Sequence, residues 1–174
     1  MIFKMLIQKK IGNIESVDVA NRAIDWLPLE WFEAKKRIMH KRSQAGVEVA
    51  IRFLGGGQNL TQGDILFADT QTIIAVDILP CEVAIIRPKN MFEMASVCYE
   101  IGNKHLPLFY ENDEVLVAFE APLFRLLAAS GYEVEQGYRR LINPLKTTVA
   151  AHGHNSTSDE TLFSKIMKLT TPRT

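Results

Sequence analysis

Apolar and polar positions alternate through much of the first half of the chain. Residues 2–7 form a short apolar run, and Val47–Leu54 alternates until Gly55-Gly56-Gly57 breaks the pattern. Ile65–Phe67, Thr72–Leu79 and Glu82–Arg87 follow, each short, rich in β-branched residues and bounded by Gly, Asp, Asn or Pro. Runs of this kind predict the strands of a small antiparallel sandwich or barrel. Residues 33–42 carry helix-forming side chains. The turn-like Gln44-Ala45-Gly46 that follows favours a charged edge strand paired with 47–54.

Past Pro88 the period changes. Met91, Met94, Ala95 and Cys98 are spaced i, i+3, i+4, i+7, the apolar stripe of a helix. Pro88 and Asn90 suit its start; Gly102-Asn103 suits its end, since both residues accept the left-handed conformation after a helix. Leu106–Tyr110 and Val115–Phe119, joined by Glu111-Asn-Asp-Glu114, read as a hairpin. Pro122 opens a second helix, Leu123–Ala129, which Ser130-Gly131 closes, and Tyr132–Leu141 alternates as a last strand. Counted from Glu82, the order is βαββαβ, the ferredoxin-like unit. The fold class is therefore α+β. Residues 1–80 form a β-rich domain, 81–143 a ferredoxin-like domain, and 144–174 a polar tail. Within the tail, Thr157-x-x-Glu160 matches a capping box, and Leu162, Phe163, Ile166, Met167 and Leu169 give residues 158–169 one apolar face. A helix that short needs a surface to dock on.

Composition narrows the function. Among 174 residues, 20 Lys and Arg balance 20 Asp and Glu, which opposes a general nucleic-acid binder and removes a polybasic route to membranes. Hydrophobic residues make up 47%, enough to fill a core. Two cysteines cannot build a disulfide scaffold or a four-cysteine zinc site. No apolar run approaches the roughly 18 residues of a membrane span, and the start lacks a signal-peptide cleavage pattern. The expectation is a soluble, cytoplasmic protein.

Chemistry rests on few residues. His105 follows a predicted helix end in Gly102-Asn-Lys-His-Leu-Pro107, where it either complements the helix dipole or is swung outward by the Gly-Asn break toward solvent or a second subunit. His152 and His154 flank one glycine; in an extended segment both rings project to one side and could reach one ion. Imidazole suits nickel, copper and zinc alike. His40 sits among Lys35, Lys36, Arg37, Lys41 and Arg42, where positive neighbours oppose a cation. Cys98 lies on the apolar stripe and reads as an inert core thiol. Gly55–Gly57 lacks the Lys-Ser/Thr of a phosphate loop and reads as a loop apex. Asp113 and Glu114 read as solvated turn residues. No triad, paired carboxylate or dinucleotide loop is present, so catalysis has no residues behind it. These observations alone reach a two-domain α/β protein that either binds a metal or serves as an interaction module. An RNA-binding ferredoxin-like unit is opposed by the neutral charge and by the lack of a Lys/Arg-Gly-Phe strand motif.

The stretch Cys98-Tyr-Glu-Ile-Gly-Asn-Lys-His-Leu-Pro-Leu108 resembles the signature of the urease accessory protein UreE family, nickel metallochaperones of urease maturation. Leu60-Thr-Gln-Gly-Asp-Ile-Leu66 with Ile73-Ile-Ala-Val76, and Val83–Ile86 before the helix, are similar to the same family. The similarity covers roughly residues 30–140. It implies a β-rich N-terminal domain of peptide-binding type and a C-terminal metal-binding domain that forms a homodimer. His105 matches the family histidine that meets its mate at the dimer interface and holds Ni(II), with His152 and His154 as secondary ligands. Zn(II) and Cu(II) would compete for such a site. The implied partners are the urease accessory GTPase UreG and the urease apoprotein complex, with a metal-linked tetramer as a further assembly. Two features depart from the family: Lys104 stands where Arg is usual, and the tail has His-Gly-His in place of a polyhistidine run.

Overall fold

The computed structural model describes residues 4–19, 21–54 and 59–145. The loop apex at Gly55–Gly57, the tail histidines and the 158–169 helix lie outside them. The first half holds β1 (Lys4–Ile7), β2 (Gly12–Asn13), β3 (Ala23–Leu29), β4 (Ile38–Arg42), β5 (Glu48–Arg52), β6 (Asp64–Ala68) and β7 (Thr72–Ile78). They form two sheets, ordered β1-β5-β4 and β2-β6-β7-β3. Between them lies a core of Leu27, Leu29, Val49, Ile51, Phe53, Leu66, Ile74, Val76 and Ile78, all buried. The alternation in β5 and β7 produces this arrangement by turning every second side chain inward.

The predicted charged edge strand is present, but shorter than 33–42. β4 begins at Ile38 and pairs antiparallel with β5 in the register Met39–Ile51. Residues 31–35 form a turn instead, in which Glu33 collects Lys36 and Lys41. Two pairings are parallel, β1 with β5 and β3 with β7, so both sheets are mixed. The apolar pattern does not announce β3, because Asp25 and Pro28 interrupt it. Pro28 is tolerated there because β3 is the edge of its sheet, where a missing N–H leaves no ladder bond unmade.

The second half comprises β8 (Cys81–Ile86), α1 (Met91–Asn103), β9 (Phe109–Glu111), β10 (Glu114–Ala118), α2 (Ala121–Ala129) and β11 (Val134–Arg139). Its sheet runs β11-β8-β10-β9, the ferredoxin-like arrangement that the element order predicts. Asn112 and Asp113, at φ 48° and 64°, form the tight turn of the β9–β10 hairpin. Glu114 is not a solvated turn residue: it opens β10 and accepts a 2.7 Å hydrogen bond from Arg87 Nε.

The apolar stripe of α1 is displaced from the predicted one. Val97 and Ile101 are fully buried, with Met94 and Cys98 packed beside them, whereas Met91 is 86% exposed and Ala95 is also exposed. The true inward face is Met94, Val97, Cys98, Ile101, again at i, i+3, i+4, i+7. It outcompetes the predicted stripe because it brings two β-branched side chains onto the sheet.

The halves meet along a seam. Trp31 packs edge-on against Phe109, with ring centroids 5.7 Å apart. Arg140 Nε donates to the Ile78 carbonyl at 2.8 Å, and its Nη2 reaches Asp77 at 3.3 Å.

Candidate metal centre

α1 sets the position of the candidate ligand. Asn90 caps its start, its Oδ1 accepting the Glu93 N–H at 2.9 Å, while Glu93 Oε2 accepts the Lys89 N–H at 2.9 Å. At the other end Gly102 and Asn103 remain helical, and Lys104 and His105 donate their N–H groups to Ile101 and Gly102. The left-handed residue is His105 itself, at φ 55°. The sequence places that conformation at Gly102-Asn103, two to three positions early. Fully buried Ile101 holds the last turn onto the sheet, so the chain reverses only once that anchor is passed. Histidine is among the few residues other than glycine that enter this region with some frequency.

The consequence is an exposed imidazole at the corner where α1 turns into the approach to β9. His40 is also exposed, in the middle of β4 opposite Ala50 and beside Lys41 and Arg42. It is on a different domain from His105. Cys98 is half-buried, its Sγ 3.9 Å from Met94 Sδ. Burial pushes its thiol above the ordinary value, as it does for Cys81, where the charge of Glu30 adds to the effect. Both thiols are thus kept neutral, in keeping with an inert role. Among the described residues no three His, Cys, Asp or Glu side chains gather closely enough to hold a metal ion. One exposed imidazole offers one nitrogen, and any tighter shell needs donors from elsewhere.

A second feature of α1 shares only Ala95 with the predicted stripe. Phe92, Ala95 and Tyr99 recur at i, i+3, i+7 on the side opposite the core, and Phe92 and Tyr99 are 82% and 70% exposed. With Ser96, Glu100 and Tyr132 they line an open depression of about 560 Å³. At about 100° per residue, Asn103 falls on this same outer face, so the exposed aromatic strip leads toward His105. The signal was available in the sequence as a second periodic set, masked by the first.

The strand that follows His105 also carries the last described residues of the chain. Tyr110 donates to the Asn143 carbonyl at 3.1 Å, and Leu145 donates to the Leu108 carbonyl at 2.7 Å. Phe109 and Pro144 form an antiparallel bridge between them. Residues 143–145 therefore run along β9 in the direction of His105.

The fold and this corner define a two-domain α+β protein in which a β sandwich precedes a ferredoxin-like unit with an outward histidine beside an exposed aromatic helix face. Comparison with known families and proteins makes the class specific. Residues 7–79 match the family model described as UreE urease accessory protein, N-terminal domain, and residues 81–162 match its C-terminal domain. The urease accessory protein UreE of Flavobacterium johnsoniae is 50% identical over 165 residues, covering 95% of this chain and 99% of that protein. Its namesake in Actinobacillus pleuropneumoniae is 41% identical over 148 residues, with 83% and 79% covered. That of Acetivibrio thermocellus is 32% identical over 151 residues, with 87% and 98% covered. The chain belongs to the UreE family of urease accessory proteins, chaperones of urease maturation rather than enzymes. No helix among the described residues is long and apolar enough to cross a membrane.

Proposed function

We propose that this protein is a cytoplasmic nickel metallochaperone that carries Ni(II) to the urease active site, working as a homodimer with UreG and the urease apoprotein complex. The division of labour falls at residue 80: the β domain precedes it, and residues 81–143 bind metal and dimerise. The observation that carries the reading is His105, an exposed imidazole at the end of a helix whose outer aromatic face nothing among the described residues covers. A second copy docked on that face buries Phe92 and Tyr99 and brings a second His105 toward the first.

Two imidazoles leave Ni(II), which takes four to six donors, short of ligands. His152 and His154 are the donors that complete the shell, together with water. The chain geometry favours this. Leu145 lies opposite Leu108, which is three residues from His105 and so no more than about 10 Å from it. His152 is seven residues past Leu145, a reach of up to about 24 Å. A shell of two fixed and two tethered imidazoles can be opened stepwise, which delivery requires. It discriminates poorly: copper(II) should bind more tightly than nickel, and zinc appreciably. Selectivity then comes from partner docking. Protonation of imidazole competes with the ion, so affinity falls as the solution is acidified.

The test uses a substitution chosen from the backbone. Asparagine tolerates the left-handed conformation at 105, so His105→Asn removes the imidazole and keeps the turn. Nickel titration calorimetry with light scattering should give about one tight ion per wild-type dimer. It should show a loss of at least ten-fold in affinity for His105→Asn, and a smaller loss for a chain ending at Ala151. Equal binding by wild type and His105→Asn would move the metal to the tail and leave His105 a structural residue.

A further inference from the structure

The two edges of the second sheet differ. At one, β9 is covered by the chain's own residues 143–145, through the bonds of Tyr110 to Asn143 and of Leu145 to Leu108. At the other, β11 has β8 on one side and nothing among the described residues on the other. An open edge is ordinarily blunted by a proline, a bulge or a very short strand, and Pro28 serves in this way on β3. β11 has none of these: it runs from Val134 to Arg139 in unbroken register with β8.

Which of its groups are free follows from that register. The Arg87 N–H donates to the Glu133 carbonyl at 3.0 Å, so by alternation Glu133, Glu135, Gly137 and Arg139 bond toward β8. Val134, Gln136 and Tyr138 therefore turn their N–H and C=O groups to the open side. The side chains match a copy of the same strand. Glu133 and Glu135 stand at its start and Arg139 at its end, all exposed. Arg87 holds Glu135 at 2.8 Å but reaches Glu133 only at 3.9 Å, which leaves Glu133 as the acid for a new base. When β11 meets itself antiparallel about a dyad through Gln136, Val134 faces Tyr138 and Gln136 faces its mate, each pair in hydrogen-bonding phase. The same register sets Glu133 opposite Arg139, which makes no ion pair among the described residues, and covers Tyr138, 62% exposed. A dyad between two residues would set outward groups against groups already spent on β8.

We infer that a second copy of this chain docks on the open edge of β11, strand against strand about a dyad at Gln136, so that one sheet continues through two subunits. The order of charge along the strand selects this occupant: acids first and a base last become complementary when the strand is reversed upon itself. The pairing calls on neither His105 nor the aromatic strip of α1. A protein already dimeric through α1 thus becomes a tetramer with no metal in the joint.

The test is the mass of the full-length chain in EDTA, by sedimentation velocity over a concentration series. Gln136→Pro removes the central outward N–H at a place where an edge strand accepts proline, and should halve the mass of the wild-type assembly. Glu133→Arg sets like charges opposite each other at both symmetric positions and should weaken association by about ten-fold; adding Arg139→Glu should restore it. Matching thermal melts would show that the proline is accepted, and the charge pair, on exposed sites, decides the question without it. Equal masses for wild type and Gln136→Pro would overturn the inference, as would an assembly that forms only with nickel or a charge swap that fails to recover. A Gln136→Pro chain that falls to a monomer would uphold pairing through β11 and remove α1 as the dimer face, so the two readings fail separately.

Discussion

Single residues in this protein show how tightly local chemistry constrains the fold. Asp64 is buried at the start of β6, yet its carboxylate is fully engaged by Lys10 at 3.0 Å, Asn13 Nδ2 at 3.2 Å and the Thr61 N–H at 2.9 Å. Beside it Gly63 sits at φ +76°, where an added Cβ would lie 2.7 Å from Ile14 Cγ1. Both features clamp the β2 loop to β6. Glu33 does the same for the turn before β4. Burial raises its carboxyl pKa, but hydrogen bonds from Lys41 and the Glu30 N–H, with the charges of Lys41 and Lys36, outweigh that and leave it below the ordinary 4.5. A depressed carboxyl stabilises the fold above the unfolded pKa, and that contribution disappears as pH falls through the folded value. Acid titration of stability should therefore be steeper below about pH 4.5 for wild type than for Glu33→Gln. Parallel urea-melt series would show this, and superimposable pH profiles would refute it.

At the scale of elements, the sequence was most informative where one period dominates. The order of the second half, with its bounds to within three residues, follows from the helical spacing after Pro88 and the turn residues between strands. The sequence misleads where two patterns overlap. α1 carries two apolar sets, and which faces the sheet depends on burial partners far away in the chain. β3 was hidden by a proline that only an edge position permits. Parallel pairing of β1 with β5 leaves no mark on either strand. At the candidate metal centre, His105 could be singled out from its motif, but its left-handed backbone and the neighbouring aromatic strip required the fold. The cap of α1 gives a direct check. Asn90→Ala should cost about 1 kcal/mol and lower the melting temperature by about 2–4 °C, whereas Asn90→Ser, which keeps an accepting oxygen, should lose less than half of that by calorimetry.

Across the whole molecule, the two halves are joined by more than the peptide bond at residue 80. Trp31 meets Phe109 on the strand that follows His105, and Leu141 and Cys81 extend that cluster. Arg140 ties β11 back to the end of β7 through Ile78 and Asp77. Removing the indole should therefore uncouple the domains. Trp31→Ala is expected to cost about 2–3 kcal/mol and to split a single calorimetric transition into two. A lone sharp transition at nearly the wild-type temperature would mean that the seam contributes little.

The left-handed backbone at His105 also bears on how this site can change over evolutionary time. A β-branched or bulky replacement there strains the turn, and Asn, Asp and His are the non-glycine residues that enter this region most readily, so drift at this position favours Gly, Asn, Asp and His. Of these, Gly contributes no donor and the Asn amide only a weak one, and Asp exchanges a nitrogen for a hard oxygen better suited to magnesium or manganese. Cysteine, the soft ligand that would convert the corner to a copper(I) or zinc trap, is disfavoured before its chemistry is ever tested. The φ angle of one residue thus keeps the candidate ligand an imidazole.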